Sequence, residues 1–134
     1  MDFCNAASLA FAIPVAVSDA SRITGYLEVR YAAGDEECLT FSGGVEHPDP
    51  REVIFCDEAG QAHARRWTHR QSGRSALQGT TTAALVVAEA MHAGAAPDVR
   101  ELLAAVAAEL DAVWSAAAAV RVLSQASPRF AFGT

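Results

Sequence analysis

Glu52-Val53-Ile54-Phe55-Cys56 carries the strongest strand signal in the chain, and the residues after it decide the fold. Asp57-Glu58-Ala59-Gly60 is a turn sequence, and Gln61 to Trp67 then resumes an extended pattern. The two runs predict a hairpin. Upstream, Tyr26-Leu27-Glu28-Val29-Arg30-Tyr31 alternates with period two, and Gly25 sets its start. Leu27, Val29 and Tyr31 share one face, Glu28 and Arg30 the other. Ala33-Gly34-Asp35 is a turn signal; Glu37 to Phe41 is a second strand candidate, closed by Ser42-Gly43-Gly44. His47-Pro48-Asp49-Pro50 is a loop, because a proline disfavours helix in the residue before it.

Nearer the start, residues 2–12 predict a short helix that Asp2 can cap, with Leu9, Ala12 and Ile13 near one side and Pro14 ending it. Pro14 to Val17 is a short apolar run, and Ser18-Asp19 begins a turn. Downstream, Gln71 to Ser75 is a loop. Ala83 to Met91 is nearly all apolar, with Glu89 its only charge. Periodicity does not separate strand from helix there, and the stiff side chains of Thr80 to Thr82 and the valines favour strand. The clearest helix is 97–118. Pro97 suits its first turn, Asp98 and Glu101 complement its positive end, and Leu102, Val106, Leu110, Val113 and Trp114 form an apolar stripe. Val120 to Leu123 predicts a last strand. No repeat or linker divides residues 1–134. The expectation is one α+β domain with a mixed or antiparallel sheet, a short N-terminal helix and one long C-terminal helix packed on the sheet.

Composition narrows the class. The 134 residues carry ten arginines, no lysine and sixteen acids, a net charge of −6. With 51% apolar residues the chain is too hydrophobic for disorder. No apolar stretch approaches the roughly 18 residues of a membrane span. Acid rather than base follows Met1, unlike a secretory leader. Cys4, Cys38 and Cys56 are odd in number and far apart, which favours free thiols in a reducing cytoplasm. An acidic domain disfavours bulk phosphate-backbone binding. The charge is uneven, however: Asp35 to Glu58 holds eight acids and one base, and His63 to Arg74 holds four arginines and no acid.

The cysteines and histidines lack C-x₂-C or H-x₃-H spacing, and no phosphate-loop or nucleophile-elbow motif is present, so no metal or cofactor is expected. The unusual segment is Ala64 to Arg74. On a continuous strand Arg66, Thr68 and Arg70 point one way, and Arg65, Trp67, His69 and Gln71 the other. Guanidinium forks bind carboxylate or phosphate, and Trp67 and His69 can stack on a planar group. The competing reading is that these arginines pair with the acidic stretch 35–58 while Trp67 is core. Exposed pairs contribute only about 0–1 kcal/mol, so stability alone explains the density of Arg, Trp, His and Gln poorly. His69 is the plausible general base of the strip, since imidazole titrates near neutrality.

The order of these features resembles the B3/B4 domain of the phenylalanyl-tRNA synthetase β subunit, and especially its stand-alone relatives. Asp2-Phe3-Cys4-Asn5 is similar to the family's V-D-x-x-N helix start, and Pro14 to Asp19 to its P-x-x-x-x-D turn. Gly25 to Ala32 with Gly34-Asp35-Glu36 resembles its G-x-x-x-V-R-x-A…G-E hairpin. Arg65-Arg66-Trp67-Thr68-His69-Arg70-Gln71 is similar to the R-R-W-x-x-R-Q run of the stand-alone proteins, and Thr81-Thr82 to the threonines after it.

The synthetase domain hydrolyses tyrosine wrongly attached to phenylalanine tRNA. The resemblance implies a module that binds aminoacyl-tRNA or a related amino-acid ester and hydrolyses it as a trans-editing deacylase. Asn5 matches an asparagine of the synthetase pocket. Ala16 stands where that pocket has histidine, and Thr68, His69 and Arg70 stand where it has a glycine pair and a glutamate. The acid that reads the tyrosine hydroxyl is thus missing, and an anionic ligand suits Arg66 and Arg70 better. The expected catalytic set is His69, Asn5 and Thr81; the expected binding set is Arg66, Trp67, Arg70, Gln71 and Arg74. Met1 falls at the motif's Val position, so the chain resembles the C-terminal part of the family domain: a shortened gene, an excised piece of a longer protein, or a member in which self-association replaces the remainder. The alternatives are a non-catalytic interaction or oligomerisation module that keeps the fold, or unrelated small-molecule chemistry on the same scaffold.

Overall fold

A computed structural model describes residues 2–68, 70–114 and 118–131, apart from the side chains of residues 2, 3, 5 and 114. It is an α+β fold with antiparallel sheets, a short N-terminal helix and a long C-terminal one. The chain forms two compact units. Residues 1–15 and 87–134 make one, and residues 16–86 the other.

In the first unit, helix α1 (Asp2–Phe11) packs on helix α2 (Ala95–Trp114). α1 stops before Pro14 is reached. Ala12 takes φ 54° and the Ile13 amide donates to the Ser8 carbonyl at 3.2 Å, a left-handed terminus with alanine in the seat glycine usually fills. Ile13 is buried behind it. α2 buries Val99, Leu102 and Val106, spaced three and four apart along one face. It begins at Ala95, so Pro97 lies within the first turn, and an exposed His92–Asp98 pair at 2.8 Å stands at its start.

The second unit is built on the sheet β2-β5-β6-β7: β2 (Leu27–Tyr31), β5 (Val53–Asp57), β6 (Ala62–Arg65) and β7 (Arg70–Gln71). The predicted β5–β6 hairpin is present. Its register shifts between Phe55 and Cys56, leaving His63 as the extra residue of β6. Such a bulge re-aims a side chain, and here the imidazole is buried with Nε2 2.8 Å from Asp57 Oδ2. β2 pairs with β5, from Leu27–Asp57 to Tyr31–Val53, and not with the strand that follows it. That next strand, β3 (Cys38–Leu39), pairs instead with β4 (Val45–Glu46). The resemblance to a hairpin after Gly25 is therefore corrected: the turn at Gly34 leads away from β2. Ala32, Cys38, Ile54, Cys56 and Ala62 form the core cluster of this unit.

A further two-stranded sheet joins β1 (Val15–Asp19) to β8 (Ala84–Ala88). Flanking bonds, Glu89 amide to Pro14 carbonyl and Ala20 amide to Ala83 carbonyl, make it antiparallel. The strand expected over 83–91 is thus present in part. Residues 120–123 form no strand, correcting that expectation; they carry β-branched residues but no pairing partner among the described residues. No described helix is long and apolar enough to cross a membrane.

Candidate functional site

The basic run does not form one strand. β6 ends at Arg65, residues 66–68 turn, and β7 starts at Arg70 opposite Arg65. Arg66 and Trp67 take φ 48° and 62°, a left-handed pair that side chains normally avoid. The Trp67 amide donates to the Val53 carbonyl at 3.0 Å, a tertiary bond that helps to hold the turn. The alternation expected across Arg65 to Gln71 is therefore corrected. Arg66 is exposed in the turn, and Trp67 is 38% exposed rather than core. His69 lies outside the described residues.

Arg65 is buried and its guanidinium grips Glu52 with two bonds, Nε to Oε2 at 2.9 Å and Nη2 to Oε1 at 2.8 Å. Its remaining Nη1 donates to Glu46 Oε1 at 3.1 Å. The other Glu46 oxygen accepts from Arg70 Nη2 at 2.7 Å. Glu52, Arg65, Glu46 and Arg70 thus form a chain of alternating charge running from the interior to the surface, where the Arg70 side chain is 52% exposed. The bond from Arg65 holds the Glu52 carboxyl below its ordinary range, against desolvation. The reading that pairs these arginines with the acidic stretch holds for Arg65 and Arg70. It does not hold for Arg66 or Arg74, which form no ion pair among the described residues.

At the outer end of this chain lies a cleft of about 480 Å³ between the β3–β4 loop and β7. Arg70, Gln71 and Glu46 form its charged and amide wall; Thr40, Phe41 and Ser42 form the loop side, with Cys38 and Leu39 also lining it. Two contacts fix its width. Ser72 Oγ donates to the Leu39 carbonyl at 3.1 Å, and the Gly73 amide donates to the same oxygen at 2.8 Å. A Cβ on Gly73 would stand 3.1 Å from the Thr40 carbonyl, so glycine permits the close approach. On the loop side Thr40 Oγ1 and Ser42 Oγ are 3.0 Å apart, and Phe41 is 74% exposed at the tip. Burial pushes the Cys38 thiol up, so it faces the cleft as a neutral SH and not as a nucleophile.

The remaining expected residues have other duties. Gln71 Nε2 donates to the Val17 carbonyl at 3.1 Å. The Arg74 amide donates to Ser72 Oγ, and its side chain is exposed. Thr81 Oγ1 donates to Asp19 Oδ2 at 2.9 Å and accepts from the Gln78 amide at 2.9 Å. Asp19 also accepts from the Ser21 hydroxyl and amide, which with Thr81 hold its carboxyl below the ordinary range against desolvation. Asn5 belongs to the first unit, on α1, with its side chain outside the described residues.

Of the expected set, Arg70 and Gln71 come together at the cleft. Glu46, Thr40, Phe41 and Ser42 were not singled out by sequence. The only signal there was Ser42-Gly43-Gly44, which reads as a strand-ending turn and is one. Chemically the cleft offers a guanidinium, two hydroxyls, an amide and an aromatic ring. Those groups suit a ligand with an anionic part and a planar part. Glu46 already occupies Arg70, so an incoming anion must compete with it.

A search of curated proteins returns no match. The B3/4 domain model matches residues 1–100, which include α1, the whole β2-β5-β6-β7 sheet and the cleft. By that match the chain belongs to the B3/4 domain family, a tRNA-synthetase-related group.

Proposed function

We propose that this protein binds an aminoacyl-tRNA end, or a related amino-acid ester, in the cleft beside Arg70 and hydrolyses the ester in trans. The observation that carries the reading is the half-exposed Arg70 guanidinium at the mouth of the cleft, next to the open ring of Phe41, in a chain of the B3/4 family. Arg70 would hold a phosphate or the oxyanion that develops as the ester carbonyl is attacked. Arg66, Trp67 and Arg74, exposed on either side of β7, would contact phosphates and bases of the acceptor end. His69 is the general base of this reading. The same reading assigns the protein to the cytoplasm, with its three thiols reduced, and as a homo-oligomer.

The test is deacylation of a panel of correctly and wrongly charged tRNAs, with Arg70→Ala and His69→Ala beside the parent and folding checked by circular dichroism. Selective hydrolysis of one species, lost in Arg70→Ala, is expected. Absence of hydrolysis and of binding across the panel by the folded parent would overturn the reading.

A second reading, a non-catalytic binding module, has one observation in its favour. The Thr81 hydroxyl donates to Asp19 and accepts from the Gln78 amide, and it is not among the residues that line the cleft, so it stands apart from the Arg70 end of the site. Binding of a charged tRNA without turnover is its signature.

A further inference from the structure

β2 lies at the edge of the four-stranded sheet, with β5 as its one hydrogen-bonded neighbour among the described residues. The backbone direction follows from the strand end. The Ala32 amide donates to the Glu52 carbonyl at 2.8 Å, toward β5. Alternation then turns the amides and carbonyls of Arg30 and Glu28 toward β5, and those of Leu27, Val29 and Tyr31 toward the free edge. Val29 is 50% and Tyr31 68% exposed. The strand has no proline and no bulge, two devices that ordinarily blunt an edge, and its ladder to β5 is regular over all five residues; its two charges, Glu28 and Arg30, are opposite in sign and pair with each other.

The sequence Leu27-Glu28-Val29-Arg30-Tyr31 is complementary to itself when reversed. We propose that β2 pairs with β2 of a second copy, antiparallel, about a two-fold axis at Val29. In this register Val29 faces Val29 of the second copy, and Leu27 faces its Tyr31. All of these residues present outward amides and carbonyls, so each facing pair exchanges two backbone hydrogen bonds. Tyr31's carbonyl already accepts from Arg30 Nη1 at 3.0 Å and has a second lone pair for the new bond. On the other face Glu28 stands opposite Arg30 of the second copy, and Arg30 opposite its Glu28. Glu28 and Arg30 pair within one chain at 3.0 Å, and Arg30 also holds the buried Glu36 carboxylate, so the dimer joins two such clusters into one alternating row at the edge. Moving the axis to Glu28 or Arg30 would set like charges face to face, and parallel pairing in register would do the same. Charge therefore selects the Val29 axis. The result is a continuous sheet through both copies, closed by symmetry so that neither β2 edge remains open.

The test is sedimentation velocity of the full chain over a range of concentrations, with two variants. Val29→Pro removes an amide that the monomer's own ladder does not use. Glu28→Lys sets lysine against the second copy's Arg30. The parent is expected to sediment at twice the 14.0 kDa chain mass. Each variant is expected to raise the dimer dissociation constant by more than about tenfold while keeping the parent's circular dichroism. For Glu28→Lys the loss should shrink as salt is added. A parent that stays monomeric at the highest concentration overturns the proposal, and so does a dimer that survives both variants unchanged.

Discussion

Arg65 is a cation with little access to water, and its partners decide whether the sheet tolerates it. Glu52→Gln keeps the shape of the pair but leaves Glu46, partly exposed, as the one carboxylate on the guanidinium. The expected cost is about 1.5–3 kcal/mol, read from the urea midpoint. Arg66 tests the opposite effect. At φ 48° a glycine relieves left-handed strain, so Arg66→Gly should raise stability by up to about 1 kcal/mol despite its greater chain entropy. Acid should act first through the buried carboxylates. Desolvation opposes ionisation of Glu36, yet the Ala33 amide, the Arg30 guanidinium and the Gly34 amide outweigh it and pull its pKa from 4.5 to about 2. A carboxyl lowered in the folded state stabilises the fold fully above its unfolded value and loses that contribution as pH falls through the folded one. Glu36 alone should therefore remove about 3 kcal/mol between pH 4.5 and 2. Asp57, which is desolvated but bonded by His63 and by amides, moves the same way. Unfolding midpoints that stay flat from pH 6 to pH 3 would contradict this.

Among the elements, α2 stands on a narrow stripe. Leu102 is fully buried between Val99 and Val106, so Leu102→Ala should cost roughly 2–5 kcal/mol in thermal or urea unfolding. This helix, α1 and the β5–β6 hairpin were legible in the sequence because their period and turn chemistry agree. The pairing of β2 with β5 was not, since a strand's partner is set by distant residues. The turn at Arg66-Trp67 was illegible for a different reason. Neither residue favours positive φ, and a bond from the Trp67 amide to the Val53 carbonyl, across the end of the β5–β6 hairpin, helps to hold the conformation. Val120 to Leu123 shows the converse: strand propensity without a partner makes no strand. At the cleft, Arg70 and Gln71 were legible as unusual chemistry in a run, whereas Glu46 and Phe41 came from a loop with no local signal beyond its glycines.

For the whole molecule, the acidic net charge and the exposed arginines of the second unit make opposing demands on a polyanion. If tRNA binds as proposed, each arginine that touches a phosphate should contribute about 0.7–0.9 to the slope of log affinity against log salt. Arg74→Ala and Arg66→Ala should each reduce the slope by that amount without altering which amino acid is recognised. A slope near zero in the parent would place the binding energy in the cleft and not on the acceptor strand.

The three buried thiols have a use that the fold did not require. Burial raises the Cys4, Cys38 and Cys56 thiols, so they react slowly with an alkylating reagent while the protein stays closed. Labelling then reports the rate at which each site opens. Cys4 sits in the unit containing α1 and α2, and Cys38 and Cys56 in the sheet unit. Three intrinsic clocks are thus distributed over two bodies. If the clocks run at one rate, and slow together when urea is withdrawn, the bodies melt as one cooperative whole. If Cys4 runs ahead, the helical body breathes on its own.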